Sequence, residues 1–299
     1  MNADQTGLRV PSPGESQRCV CAAAPNLPVW IYRPRHEISA DRVIVVVHGI
    51  SRASHHLFEQ FKGLADRMGC TLLAPEFSPD EFPAYQTLGQ RDAFSRSDLA
   101  LNAFITAWQD ARQQVAVRSH LYGYSGGAQF AHRYALLYPA RVLSLAITSP
   151  GWYTCPDRAA YPYGLKDWPV CLGQPNLSGF LDLPILVMVG EQDTQRDSSL
   201  RKGKRLDRQQ GPNRLVRART WVAAIAERQQ LQGATRPVQL QILPDQGHDF
   251  LQNARQSDML ERIFVFWRQC EKENPHVVKN DLYRINADVI DRVSGETRY

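Results

Sequence analysis

The eight residues Leu121-Tyr122-Gly123-Tyr124-Ser125-Gly126-Gly127-Ala128 constrain this chain more than any other stretch. The residues before them, 119–124, read as a short buried strand. Those after, 126–138, read as a helix with Phe130, Tyr134 and Leu137 at helical spacing. Between the two lies Gly123-x-Ser125-x-Gly127, a tight strand-to-helix turn that holds one serine in a strained, exposed conformation. A side chain at either glycine would collide where strand and helix nearly touch. The helix N-terminus also turns free N–H groups and the positive end of its dipole toward the serine, an arrangement suited to a developing oxyanion. The alternative, a Gly/Ser-rich turn without chemistry, does not account for the strand and helix on either side.

The same alternation recurs along the chain. Residues 42–47 form a continuous β-branched run, as expected of a parallel strand buried on both faces. Further strands are predicted at 70–74, 142–148, 184–189 and 238–243, and an edge strand at 29–32. Helices are predicted at 57–68, 92–114, 214–231 and 251–270. Strands alternating with helices imply an α/β fold, a mostly parallel central sheet with helices on both faces. Residues 1–28, rich in Pro, Gly and Ser, read as a loose lead-in, 29–270 as the folded domain, and 271–299 as a polar C-terminal extension.

The 299 residues suffice for one α/β domain of this size. No apolar run approaches a membrane span. Residues 1–18 are polar, without an apolar leader, so a cytoplasmic protein is expected. In a reducing compartment the six cysteines would be free thiols. Cys155 and Cys171, which share one irregular segment, would be able to pair if the protein were exported. The net charge of +5 comes from residues 196–219, where nine Lys and Arg face Asp197 and Asp207. Without interleaved aromatics or a nucleic-acid motif, this stretch reads as a solvated basic loop and helix face, and no nucleic-acid or membrane partner is expected. Oligomeric state is not legible.

In open parallel sheets, sites form at the carboxyl ends of strands. His48-Gly49-Ile50, Ser125, Asp193 and His248 all follow predicted strands. A serine needs a base within hydrogen-bond reach, and the base needs an orienting acid. The order Ser125, Asp193, His248 supplies each in turn. Asp197 is the alternative acid. His120 and His132 flank the turn and do not point naturally at Ser125. His48, His55 and His56 lack the carboxylate or histidine repeat of a metal site, and no metal or cofactor is expected.

On Val-Val-Val-His48-Gly49, Gly-Tyr-Ser125-Gly-Gly, Val-Gly-Glu-Gln-Asp193 and Gln-Gly-His248-Asp-Phe, residues 29–270 resemble an α/β-hydrolase-fold serine hydrolase. The finer likeness is to bacterial esterases of the polyhydroxybutyrate-depolymerase and feruloyl-esterase type. The resemblance implies Ser125 as nucleophile, His248 as base and Asp193 as orienting acid. It implies an oxyanion hole from the amides of Gly126 and Ile50, with Ser51 as the alternative to Ile50. It also places a lid insertion at 151–180, whose aromatics either form a small core or line an acyl pocket. Tyr124, Trp152, Tyr153 and Trp168 are the expected substrate contacts. The implied activity is hydrolysis of a small-molecule carboxylic ester through an acyl-enzyme. An acyltransferase or peptidase on the same triad, and a non-catalytic binding protein on the same fold, are the alternatives.

Overall fold

The computed structural model describes residues 7–89, 96–114 and 116–273. Eight strands form one sheet: β1 Ser16–Cys21, β2 Ala24–Tyr32, β3 Arg42–Val47, β4 Thr71–Pro75, β5 Arg118–Tyr124, β6 Val142–Thr148, β7 Ile185–Gly190 and β8 Gln239–Leu243. Their spatial order is β1-β2-β4-β3-β5-β6-β7-β8. β1 and β2 run antiparallel to their neighbours, and every pairing from β4 through β8 is parallel. The carboxyl ends of β3, β5, β7 and β8 therefore share one edge of the sheet, as the sequence reading requires.

The helices are α1 Ser54–Met68, α2 Ser97–Ala111, α3 Gly126–Leu137, α4 Leu177–Leu181, α5 Lys204–Gln210, α6 Arg214–Gln232, α7 Phe250–Gln256 and α8 Met259–Glu273. They divide the core in two. On β3, Val43, Val45 and Val47 face a cluster with Leu101, Phe104 and Trp108 of α2, Phe130 of α3 and Trp221 of α6. Ile44 and Val46 face Phe58 and Phe61 of α1 and Met259, Ile263 and Trp267 of α8. Successive strand residues point to opposite faces, so an unbroken β-branched run is what a strand covered on both sides demands.

Three expectations change. The lead-in is not loose: β1 and most of β2 lie within it, Leu8 is buried in the core, and β2 is an internal strand with β1 at the edge. Pro25 and Pro28 hide the strand in the sequence. They fall where the β1–β2 register shifts, between Cys19 and Cys21, and ahead of the β4 pairing that begins at Val29. The single helix expected over 251–270 is two. Ser257 adopts extended backbone, its hydroxyl donates to the Asn253 carbonyl, and it accepts from the Met259 N–H, ending α7 and starting α8. Helix α2 starts at Ser97; the expected residues 92–95 lie outside the described ones, as does the extension beyond residue 273.

All six cysteines are free, with Cys155 buried and Cys171 exposed. Among the described residues, no helix is long and apolar enough to cross a membrane.

Candidate active site

The turn after β5 is as tight as its glycines imply. A Cβ on Gly123 would lie 2.3 Å from the Gly127 carbonyl oxygen, and one on Gly127 would lie 2.0 Å from the Val47 carbonyl oxygen. Ser125 itself has φ 53° and ψ −109°, left-handed backbone that a serine adopts only when its surroundings impose it. The Ser125 N–H donates to the Thr148 carbonyl on β6, which anchors the turn to the sheet.

Ser125 Oγ lies 3.1 Å from His248 Nε2, and His248 Nδ1 lies 2.9 Å from Asp193 Oδ2. The carboxylate can only accept, so Nδ1 carries the proton and Nε2 is left to accept from the serine hydroxyl. Asp193 follows β7 and is buried; Asp197 points elsewhere, toward Arg214. The Tyr124 ring stacks on the His248 ring at 5.4 Å between centroids and meets Phe250 edge-on.

A cleft of about 290 Å³ opens over Ser125 and His248. His48, Gly49, Ile50 and Ser51 form one wall, His56 and Leu57 of α1 a second, and Ser199 and Phe250 a third. The wall after β3 is held by His48. Its Nδ1–H donates to the Gly49 carbonyl, and its Nε2 accepts from the Phe77 N–H. Burial pulls this imidazole down to about 4, so it stays neutral and keeps both bonds. The Tyr85 hydroxyl donates to the His48 carbonyl. The turn Gly49–Arg52 closes with the Arg52 N–H on the Gly49 carbonyl, a bond that uses neither the Ile50 nor the Ser51 N–H. The Ile50 side chain reaches Gly126: a Cβ there would lie 2.8 Å from Ile50 Cγ2. Ile50 and Gly126 thus face each other beside Ser125.

Of the expected substrate contacts, Tyr124 lines the cleft; Trp152, Tyr153 and Trp168 do not. Tyr153 is fully buried and stacked on Trp221 of α6. Trp152 packs under the Arg133 guanidinium and against Tyr163. Trp168 meets Tyr161 edge-on. The segment 151–180 is pinned to α3 and α6 by the Thr154 N–H on His132 Nε2 and by Trp221 Nε1–H on the Thr154 carbonyl. Its aromatics form a packed layer on those helices, and none of its residues lines the cleft.

The basic stretch also divides. Arg196, Arg201, Lys202, Lys204, Arg205 and Arg208 are exposed, but Arg214 and Arg217 are buried. Arg217 pairs with Asp207 and donates to the Gly151 carbonyl; Arg214 pairs with Asp193. The sequence offered one signal for them: cations in the first turn of a helix oppose its dipole, and such residues need another reason to be there.

His55 meets Trp30 in a tilted ring contact at 4.5 Å between centroids, while His48 is buried in the cleft wall. Among the described residues, no group of three or more His, Cys, Asp or Glu side chains is placed to hold a metal ion.

Comparison with solved structures places the fold. Poly(aspartic acid) hydrolase-1 from Sphingomonas sp. KT-1 superimposes with a TM-score of 0.67 at 24% identity, over 87% of this chain and 98% of that one. The poly(3-hydroxybutyrate) depolymerase LpqC from Bordetella parapertussis gives 0.66 at 25% identity, over 91% and 94%. This is an α/β-hydrolase fold. A ferulic acid esterase, at 12% identity and a TM-score of 0.55 over 85% of this chain and 97% of its own, shares the hydrolase fold. No family model and no curated protein matches the sequence.

Proposed function

We propose that the protein is a serine hydrolase that cleaves a carboxylic ester through an acyl-enzyme intermediate on Ser125. The observation that carries this reading is the continuous chain from Ser125 Oγ through His248 to Asp193, with the serine at the floor of an open cleft. A ligand-binding protein has no use for a strained serine backbone held against an oriented imidazole. That the similar structures include a poly(3-hydroxybutyrate) depolymerase and a ferulic acid esterase supports ester chemistry.

In the proposed reaction His248 Nε2 takes the Ser125 proton as Oγ attacks the ester carbonyl. Asp193 holds the imidazole and stabilises the imidazolium. The amides of Gly126 and Ile50 receive the oxyanion. The alcohol leaves with the proton from His248, water attacks the acyl-enzyme by the same route, and the acid is released with Ser125 restored. Every step is a proton transfer or acyl transfer among these groups and needs no redox partner.

The test is a panel of p-nitrophenyl and aryl esters of varied acyl length, together with labelling by a fluorophosphonate. Turnover of part of the panel and a single label on Ser125 are expected. Ser125→Ala should lose the label and fall to the residual ~10³-fold over water that an oxyanion site and binding alone retain. A wild-type protein that neither labels nor turns over any ester is a binding protein, and product capture by an added alcohol in place of water would make it an acyltransferase.

A further inference from the structure

Arg214 is a fully buried cation at the first position of α6, and its guanidinium reaches three groups. Nη1 lies 3.3 Å from Asp193 Oδ1 and 3.5 Å from Asp197 Oδ2, and Nη2 donates to Ser199 Oγ at 2.7 Å. Asp193 thus has both oxygens engaged, Oδ2 by His248 and Oδ1 by Arg214. Ser199 in turn donates its hydroxyl to Asp197 Oδ1, which also accepts the Ser199 and Leu200 N–H groups. Partial burial opposes ionisation of Asp197. These Ser199 bonds and the Arg214 charge outweigh it and hold the carboxyl down to about 2. The outcome is a closed ring of Arg214, Asp197 and Ser199 beside Asp193, and Ser199 lines the cleft.

We infer that Arg214 is a positioning residue for this site: it fixes the Asp193 carboxylate against His248 and, through Asp197 and Ser199, ties one wall of the substrate cleft to that acid. The inference rests on the reading of Ser125, His248 and Asp193 as a catalytic set. A planar fork with several fixed donors can span three acceptors in this way, and an ammonium group cannot. The cation also has an electrostatic effect: it lies against the oxygen of Asp193 that does not face His248 and partly offsets the carboxylate charge. Among the described residues, the titratable groups facing His248 are Tyr124 stacked on its ring, Asp249 beside it, Asp193 behind it, and His48 and His56 across the cleft. None of the others supplies a permanent positive charge.

The experiment compares wild type with Arg214→Met and Arg214→Lys. Hydrolysis of p-nitrophenyl acetate is measured per fluorophosphonate-labelled site from about pH 5 to about pH 9. The His248 ring is titrated by NMR on protein labelled with ¹⁵N-histidine, its signal assigned by its loss in His248→Gln. In Arg214→Met the acid limb of kcat/KM and the His248 midpoint should rise together by about one pH unit, because a nearby cation has been removed. Turnover per labelled site should fall about 10- to 100-fold as the acid loosens. Arg214→Lys keeps the charge and loses the fork, so its midpoint should stay near wild type while kcat drops several-fold. A purely structural arginine would lower the folded fraction and leave turnover per site and both midpoints unchanged; that result in folded Arg214→Met overturns the inference. Should Arg214→Met not fold, Arg214→Lys decides, and wild-type kcat in it overturns the inference. If wild type hydrolyses nothing, the ester reading fails, and the NMR midpoints still decide whether Arg214 governs the Asp193–His248 pair.

Discussion

Gly127 lies directly over Val47: a Cβ on the glycine would sit 2.0 Å from the valine carbonyl oxygen and 2.5 Å from that of His48. Helix α3 therefore meets the end of β3 backbone to backbone, and the turn at Ser125 and the cleft wall after β3 are placed by one contact. Gly127→Ala should cost about 3 kcal/mol or more, since fixed backbone atoms cannot yield as a flexible side chain does. Gly63→Ala is the control. It lies in α1 with nothing within 4 Å of the added carbon, and should stabilise by about 0.5–1 kcal/mol. Urea midpoints measure both, and a Gly127→Ala protein as stable as wild type would contradict the close approach.

The two candidate acids separate by mutation. Asp193→Asn should lower turnover by up to ~10⁴-fold, because the amide favours the wrong histidine tautomer. Asp197→Asn touches only the Arg214 ring and should cost less than about 10-fold. A larger loss in Asp197→Asn than in Asp193→Asn would reverse the assignment.

Acid should unfold this protein through its buried histidines. His48 is held down to about 4 by burial, and burial also lowers His120 and His132, the latter far below its usual range. For His48 the sign is clear. Its folded value is below the unfolded ~6.5, so its contribution is complete above about pH 6.5 and is lost as pH falls toward 4. Its share is about 3 kcal/mol. Melting temperature measured from neutral pH down to about pH 4.5 should fall steeply in wild type and more gently in His48→Gln, which has no proton to take up. Identical slopes would remove His48 from the acid response.

All the exposed cations of this stretch but Arg196 follow Ser199 along the chain, and Ser199 lines the cleft. Arg196 is tied to Asp207, and Arg201 lies over Trp152 and Tyr163, which leaves Lys202, Lys204, Arg205 and Arg208 facing solvent. Such a rim should steer an anionic ester, and the effect should fade as salt shortens the screening length to about 10 Å at 0.1 M. Comparison of kcat/KM for matched neutral and anionic esters, at low and high salt, in wild type and in Lys202/Lys204/Arg205→Gln, checks this. A preference indifferent to salt and to the substitutions would leave these residues as solvated surface.

What was legible in the sequence is what short-range chemistry specifies. The runs at β3, β5, β6 and β7 are apolar because both faces are covered. Ser125 directly follows a strand, and Asp193 and His248 stand one short loop beyond theirs, where periodicity stops abruptly. What was not legible depends on distant partners. β1 and the first half of β2 carry prolines and polar residues that only the sheet explains. The break at Ser257 rests on a single hydroxyl. Arg214 looks like its exposed neighbours until Asp193, 21 residues away, is brought beside it. The aromatics of 151–168 have the composition of a pocket wall, and their buried faces are decided by Trp221 and Arg133, which belong to other elements.

Ser125 hangs from β5, an almost wholly buried strand flanked by β3 and β6, whereas His248 hangs from β8, which pairs on one side only and is half-exposed along most of its length. The two partners of the Ser125–His248 hydrogen bond are thus anchored in regions of unequal local stability. Warming or mild denaturant should detach the edge strand first and carry His248 away from Ser125 while β5 stays in place. Activity that depends on this pair should then be lost before the fold melts. The temperature limit of the Ser125–His248 contact is then set by a rim strand five residues long and not by the buried core.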